Sequence, residues 1–174
     1  MANLSDLLAD HGWDAAVVKP TISATAMLTW RTSRAQASDD QGAFEDLLRQ
    51  SGAMVQPFLE EVASQGEWSV FYFNGTLSHA VIKHPQPGDF RVQSDFGGSS
   101  FAASPPYWLL DQVQMLLATI AEPWLYARVD GVARGERFLL MELELIEPSL
   151  FLAKDPQAPE RFAEAILARM QALR

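Results

Sequence analysis

Asn74-Gly75 lies between two apolar, strand-forming stretches, residues 68–73 and 77–83, and this arrangement restricts the fold more than anything else in the chain. A two-residue Asn-Gly link adopts the left-handed backbone of a type I′ turn, whose twist matches that of paired strands. An antiparallel hairpin is therefore expected. A second strand pair, residues 124–132 and 137–146, is joined near Gly135. Shorter strands are expected at 15–18, at 90–93 and at 54–59, where Pro57 marks a sheet edge. Residues 21–38 read as a loop with some strand.

Apolar residues at helical spacing place four helices. Leu4, Leu7 and Leu8 mark the first, which stops at Gly12, and Phe44, Leu47 and Leu48 mark one over 41–50, closed by Gly52. Pro105-Pro106 open a third through Ile120, with Leu109, Val113, Leu116, Leu117 and Ile120 facing inward. The last starts near Pro159, with Phe162, Ile166, Leu167 and Met170 as its expected buried stripe. Strands and helices come in runs rather than alternating, so the fold class is α+β.

A chain of 174 residues makes one domain with room for two lobes, and 48% hydrophobic residues supply a core. Thirteen basic against 22 acidic side chains give a net charge of −9, which argues against a nucleic acid or an anionic membrane as partner. The chain has no cysteine, which excludes disulfides, thiolate metal sites and cysteine nucleophiles. No apolar run is long enough to span a bilayer, and the first ten residues carry no basic n-region. A cytoplasmic location is the expectation.

The late strand Leu139-Leu140-Met141-Glu142-Leu143-Glu144-Leu145 carries the clearest chemistry. Alternation puts Glu142 and Glu144 on one face and sends Met141, Leu143 and Leu145 to the core. On the preceding strand Tyr126, Arg128 and Asp130 face outward while Leu125, Ala127 and Val129 face inward. Paired, the two strands gather Asp130, Glu142 and Glu144 around Arg128. Three carboxylates on rigid strands suit a hard divalent cation, and Arg128 balances their charge or reaches a phosphate oxygen. Pattern alone favours the plainer reading, a sheet with one wet face.

Other cations are less distinctive. Lys19 ends a buried strand before Pro20 and a loop of small residues, a place from which an ammonium meets a phosphate. Lys83 and Arg91 bracket a tight connection that would bring both to one anion. Gly97-Gly98 permits close backbone approach to a ligand. His11, His79 and His84 form no metal-ligand pattern. Ser78 and His79, as strand neighbours, should face opposite ways and make no nucleophile pair.

Taken in order, these segments resemble the ATP-grasp superfamily, in particular glutathione synthetase and the RimK-type ribosomal-protein glutamate ligase. Val17-Val18-Lys19-Pro20 is similar to the family's strand with its phosphate-binding lysine. Val55-Gln56-Pro57-Phe58-Leu59, followed by Glu61, resembles the hinge strand that cups adenine and ribose. Gly88-Asp89-Phe90-Arg91-Val92-Gln93 with Gly97-Gly98 resembles the Gly-Glu-x-Arg-x-Asn…Gly-Gly loop. Asp130 and the Glu142-x-Glu144 pair fall on the family's metal carboxylates. The chain departs from the pattern at Glu144 and Gln93, where asparagine is usual, and at Ser69, where arginine is common. Its loop 21–26 lacks the usual glycines.

The resemblance implies a two-lobed, ATP-grasp-like α+β fold with an antiparallel sheet, packed helices and an incomplete front lobe. Residues 1–65 would form the partial front lobe and 66–174 the back lobe, with nucleotide between them. It implies an ATP-dependent carboxylate–amine ligase that works through an acyl phosphate. Asp130, Glu142 and Glu144 would hold Mg²⁺ or Mn²⁺; Lys83 and Arg91 would be catalytic. Lys19, Gln56, Phe58, Leu59, Glu61 and Arg128 would bind ATP, and the substrates would be a small carboxylate and an amine. The family's N-terminal domain and earlier nucleotide-binding lysine have no counterpart here, so a fragment, self-association or a complementing chain is expected. The alternatives are a nucleotide-binding module without catalysis and an interaction domain presenting Tyr107, Trp108 and Trp124.

Overall fold

The computed structural model of the chain describes residues 2–22 and 26–172. Residues 23–25 of the glycine-free loop lie outside the described residues. The chain divides into two compact units, Met1–Glu60 and Glu61–Arg174.

In the first unit, α1 (Leu4–Asp10) is followed by β1 (Ala15–Pro20), β2 (Trp30–Ser33), α2 (Gln41–Gln50) and β3 (Ala53–Pro57). Asn3 starts α1 by accepting the backbone N–H of Asp6 at 3.1 Å. The sheet runs β2-β1-β3, with both pairings antiparallel. Pro57 closes the edge strand β3, where its missing N–H interrupts no ladder. Leu4, Leu8, Phe44 and Leu47 pack on Ala16 and Val18, each large side chain contributing roughly 1.5–3 kcal/mol through burial.

The second unit is built on a five-stranded antiparallel sheet. After the short helix α3 (Glu61–Ser64) come β4 (Glu67–Phe73), β5 (Thr76–His84), β6 (Ser99–Ala102), α4 (Tyr107–Leu117), β7 (Tyr126–Arg134), β8 (Arg137–Glu144) and α5 (Ala158–Ala172). Their order is β6-β5-β4-β7-β8, so β4 joins the two expected hairpins back to back. Asn74 and Gly75 turn the first with φ of 46° and 82°. Val70, Tyr72, Ala80, Ala127 and Val129 bury one sheet face against Leu109, Val113 and Leu117 of α4.

Three expectations need correction. Residues 90–93 form no strand, because the Asp89 carboxylate takes the N–H groups of Phe90 and Arg91 at 2.7 and 2.9 Å and folds the chain into a turn. On α5, Leu167 and Met170 are 58% and 53% exposed, while Ala158 and Ala165 are buried and Phe162 lies 5.0 Å from the ring of Phe73. Of the three aromatics proposed as a surface patch, only Tyr107 is well exposed; Trp108 and Trp124 pack against the core.

Candidate active site

The opposite sheet face of the second unit is polar yet buried. Glu67, Ser69, His79, Lys83, Arg128 and Asp130 are all nearly inaccessible, so the wet face expected from alternation is not what forms. Two β-bulges organise it. One makes Ser78 an extra residue on β5, so that the register passes from Tyr72 opposite Leu77 to Phe71 opposite His79. The other makes Met141 an extra residue on β8, between Leu140 opposite Gly131 and Glu142 opposite Asp130. Bulges re-aim side chains in this way beside functional sites.

Beyond the second bulge, Glu142 sits opposite Asp130 and Glu144 opposite Arg128. One carboxylate oxygen from each of Asp130, Glu142 and Glu144 lies within 4.8 Å of the others. The three are graded in exposure: Asp130 is 1% exposed at its side chain, Glu144 31% and Glu142 50%. Arg128 lies among them. Its Nε donates to Asp130 Oδ2 at 2.9 Å, its Nη2 donates to Glu144, and Glu142 is 3.8 Å away.

Around Asp130 a second layer closes. Ser69 Oγ donates to Asp130 Oδ1 at 2.5 Å, and Lys83 Nζ lies 3.6 Å from Asp130 Oδ2 and 2.5 Å from Glu67 Oε1. Burial lowers the affinity of Lys83 for its proton, but the attraction of Glu67 and Asp130 outweighs it and keeps the ammonium charged. Burial raises Glu67 and, with repulsion from Asp130 and Glu142, outweighs the opposing pull of Lys83.

Counted fully ionised, with Lys83 set against Glu67, three carboxylates face one guanidinium, a formal surplus of two negative charges. Burial pushes Glu144 up to about 7 despite Arg128, and the neighbouring Glu142 and Asp130 add to the rise. Hard oxygen donors that converge in this way fit a divalent cation such as Mg²⁺, whose oxygen ligands stand about 2.0–2.1 Å from the ion.

In the first unit Lys19 pairs with Met54 across β1 and β3, and Gln56 pairs with Val17. Phe58 leaves β3 with its N–H on the Ala15 carbonyl at 3.0 Å, and the Arg31 guanidinium covers its ring at 3.9 Å. Leu59 follows, half-buried. In the second unit Glu61 opens α3 with both carboxylate oxygens on Arg134. Arg91 is bound through two nitrogens by Asp89, at 2.7 and 3.0 Å, and lies 3.6 Å over Phe96. Hydrogen bonds from Arg91 hold Asp89 at about 2. Lys83 and Arg91 thus each have their own carboxylate partner.

Two residues of this face have no role in the sequence reading. Glu67 holds Lys83, and His79 hydrogen bonds to Ser78 at 2.9 Å, a pairing that strict alternation forbids and the bulge at Ser78 allows.

No family model matches the chain. A curated relative, the cycloserine biosynthesis protein DcsG of Streptomyces lavendulae, is 29% identical over 172 residues, covering 89% of this chain and 55% of that protein. The crystal structure of the D-cycloserine synthetase DcsG superposes with a TM-score of 0.83 at 27% identity, over 97% of this chain and 61% of that one. The ATP-grasp ligase PsnB, solved with a precursor variant, Mg and ADP, gives a TM-score of 0.60 at 16% identity, over 94% and 51%. The chain has the ATP-grasp fold. A D-alanine–D-alanine ligase from Bacillus anthracis, solved with ATP, shares that fold with a TM-score of 0.64 at 17% identity, over 94% and 54%. The chain spans a little over half the length of the proteins it matches. Among its described residues no helix is long and apolar enough to cross a membrane.

Proposed function

We propose that the chain binds Mg-ATP and serves an ATP-dependent carboxylate–amine ligase. The observation that carries this reading is the carboxylate cluster of β7 and β8, three acids whose oxygens converge around the single guanidinium of Arg128. It is supported by the ATP-grasp fold and by the likeness to DcsG, a D-cycloserine synthetase. The loop 88–98 favours the glutathione synthetase and RimK-type branch, with Arg91 fixed by Asp89.

In this reading Asp130, Glu142 and Glu144 hold Mg²⁺, which when bound screens phosphate charge. Lys19, Lys83, Arg91 and Arg128 supply positive charge toward phosphate oxygens as the γ-phosphoryl group passes to a substrate carboxylate. An amine then attacks the acyl phosphate, forming the C–N bond and releasing phosphate. Phe58 and the backbone of residues 56–59 offer an apolar strip for adenine, and Glu61 is the ribose candidate. The burial of Asp130 and its three hydrogen-bonding or ionic partners hold it in one orientation for that work.

A calorimetric titration with Mg-ATP tests the reading. Binding by the wild type and a clear loss of affinity in Lys19→Ala, with the fold retained, is the expected result. Binding without ATP turnover on any carboxylate would leave a nucleotide-binding module, and no binding would sink the proposal.

A further inference from the structure

Beyond β8 the chain does not leave the sheet. Residues 145–151 turn back across the carboxylate-bearing face as a strap, and side chains of the sheet hold it at three points. The N–H of Glu147 donates to the Tyr126 hydroxyl at 3.0 Å, Arg128 Nη1 donates to the Ser149 carbonyl at 3.4 Å, and His79 Nε2 donates to the Leu150 carbonyl at 3.0 Å. His79, Phe71, Arg128 and Glu144 stand in one cross-strand row. Two successive strap carbonyls are therefore gripped from either side of Phe71, by the same Arg128 that sits among the carboxylates.

His79 is built for this grip. A carbonyl only accepts, so Nε2 carries the proton and Nδ1 accepts the Ser78 hydroxyl at 2.9 Å. Arg161 of α5 in turn donates its Nε–H to Ser78 Oγ at 3.0 Å. The imidazole stacks on Phe71, centroids 4.4 Å apart and 8° from parallel. Two strap residues other than glycine have left-handed backbone, Glu147 at φ 51° near its start and Phe151 at φ 47° at its end. Such conformations cost roughly 1–3 kcal/mol and persist where surrounding contacts over-determine them.

We propose that His79 is a positioning residue for the cation site. It latches the strap, and the strap carbonyl at Ser149 fixes the guanidinium of Arg128 that orients Asp130 and Glu144. This rests on the Mg-ATP reading above. It assigns work to a histidine whose hydrogen bonds go to Ser78 and Leu150 and to none of the three carboxylates.

Hydrogen exchange of the strap amides and calorimetric titration with Mn-ADP, both on the full chain, test it with two substitutions. His79→Phe keeps the stack on Phe71 and removes the donor. His79→Gln keeps a donor for Leu150 and an acceptor for Ser78. His79→Phe should speed strap exchange about tenfold and weaken Mn-ADP by about tenfold, the lower range for loss of an outer-shell partner, with β7 amides unchanged. His79→Gln should restore both. Unchanged strap exchange in His79→Phe overturns the latch, and a freed strap with unchanged affinity overturns the positioning role. If His79→Phe does not fold, His79→Gln decides alone: strap exchange and affinity both near wild type support the proposal, and a tenfold loss of affinity with the strap still protected contradicts it. A wild type that binds no Mn-ADP ends the nucleotide reading and this role with it, a failure visible before any substitution is made.

Discussion

At the scale of the residue, Glu144 has two incompatible demands placed on it. Its environment favours the neutral acid, with burial the main cause, while a bound cation needs the carboxylate. The folded state holds its proton up to about pH 7, whereas an unfolded chain releases it near the ordinary carboxylate value of 4.5. The folded state thus binds more protons in that window, and stability falls as pH rises through it. Glu144→Gln has no proton to lose. Chemical denaturation from pH 4 to 8 should show the variant losing less stability than wild type across this window and standing above it at pH 8. Parallel profiles would show that Glu144 titrates as an ordinary surface acid.

At the scale of the element, the two bulges explain both what the sequence reveals and what it hides. Alternation on β7 and β8 suffices to gather Asp130, Glu142 and Glu144, because the bulge at Met141 leaves residues 142–144 in phase with 128–130. The Asn74-Gly75 turn likewise fixes its hairpin. Counting back from that turn, however, puts Glu67 opposite Ile82; the extra residue Ser78 moves it to Lys83 and creates the buried ion pair. That single insertion also lets Ser78 meet His79. A bulge without glycine or proline leaves no mark in a hydrophobic pattern, and a buried polar face looks like a wet one until its partners are known. The second bulge depends on Gly131, where an added Cβ would lie 2.4 Å from the Leu139 carbonyl oxygen and against the Phe138 ring. Gly131→Ala should cost about 1–3 kcal/mol, the usual range for overpacking, and should weaken Mg-ATP binding by moving Asp130 relative to Glu142. Equal stability by urea denaturation would contradict the packing argument.

At the scale of the molecule, net charge and exposed apolar surface oppose each other. Ile22, Met27, Leu28 and Met54 expose large apolar side chains on the first unit, surface through which a second copy could associate. The charge of −9 repels a second copy. Self-association should therefore strengthen as salt screens that charge, and light scattering should show the average mass rising from low to high salt. A mass that stays monomeric at high salt and high concentration would assign this surface no such role. Whether the carboxylate cluster holds a cation is decided by thermal unfolding with and without Mg-ATP, on wild type and on Glu142→Gln/Glu144→Gln. A ligand at about 100 times its Kd adds roughly 2.7 kcal/mol, or about 5–11 °C for a chain of this size. Wild type should gain that stabilisation and the double variant should gain none, whereas equal gains in both would mean that the carboxylates of β7 and β8 hold no cation.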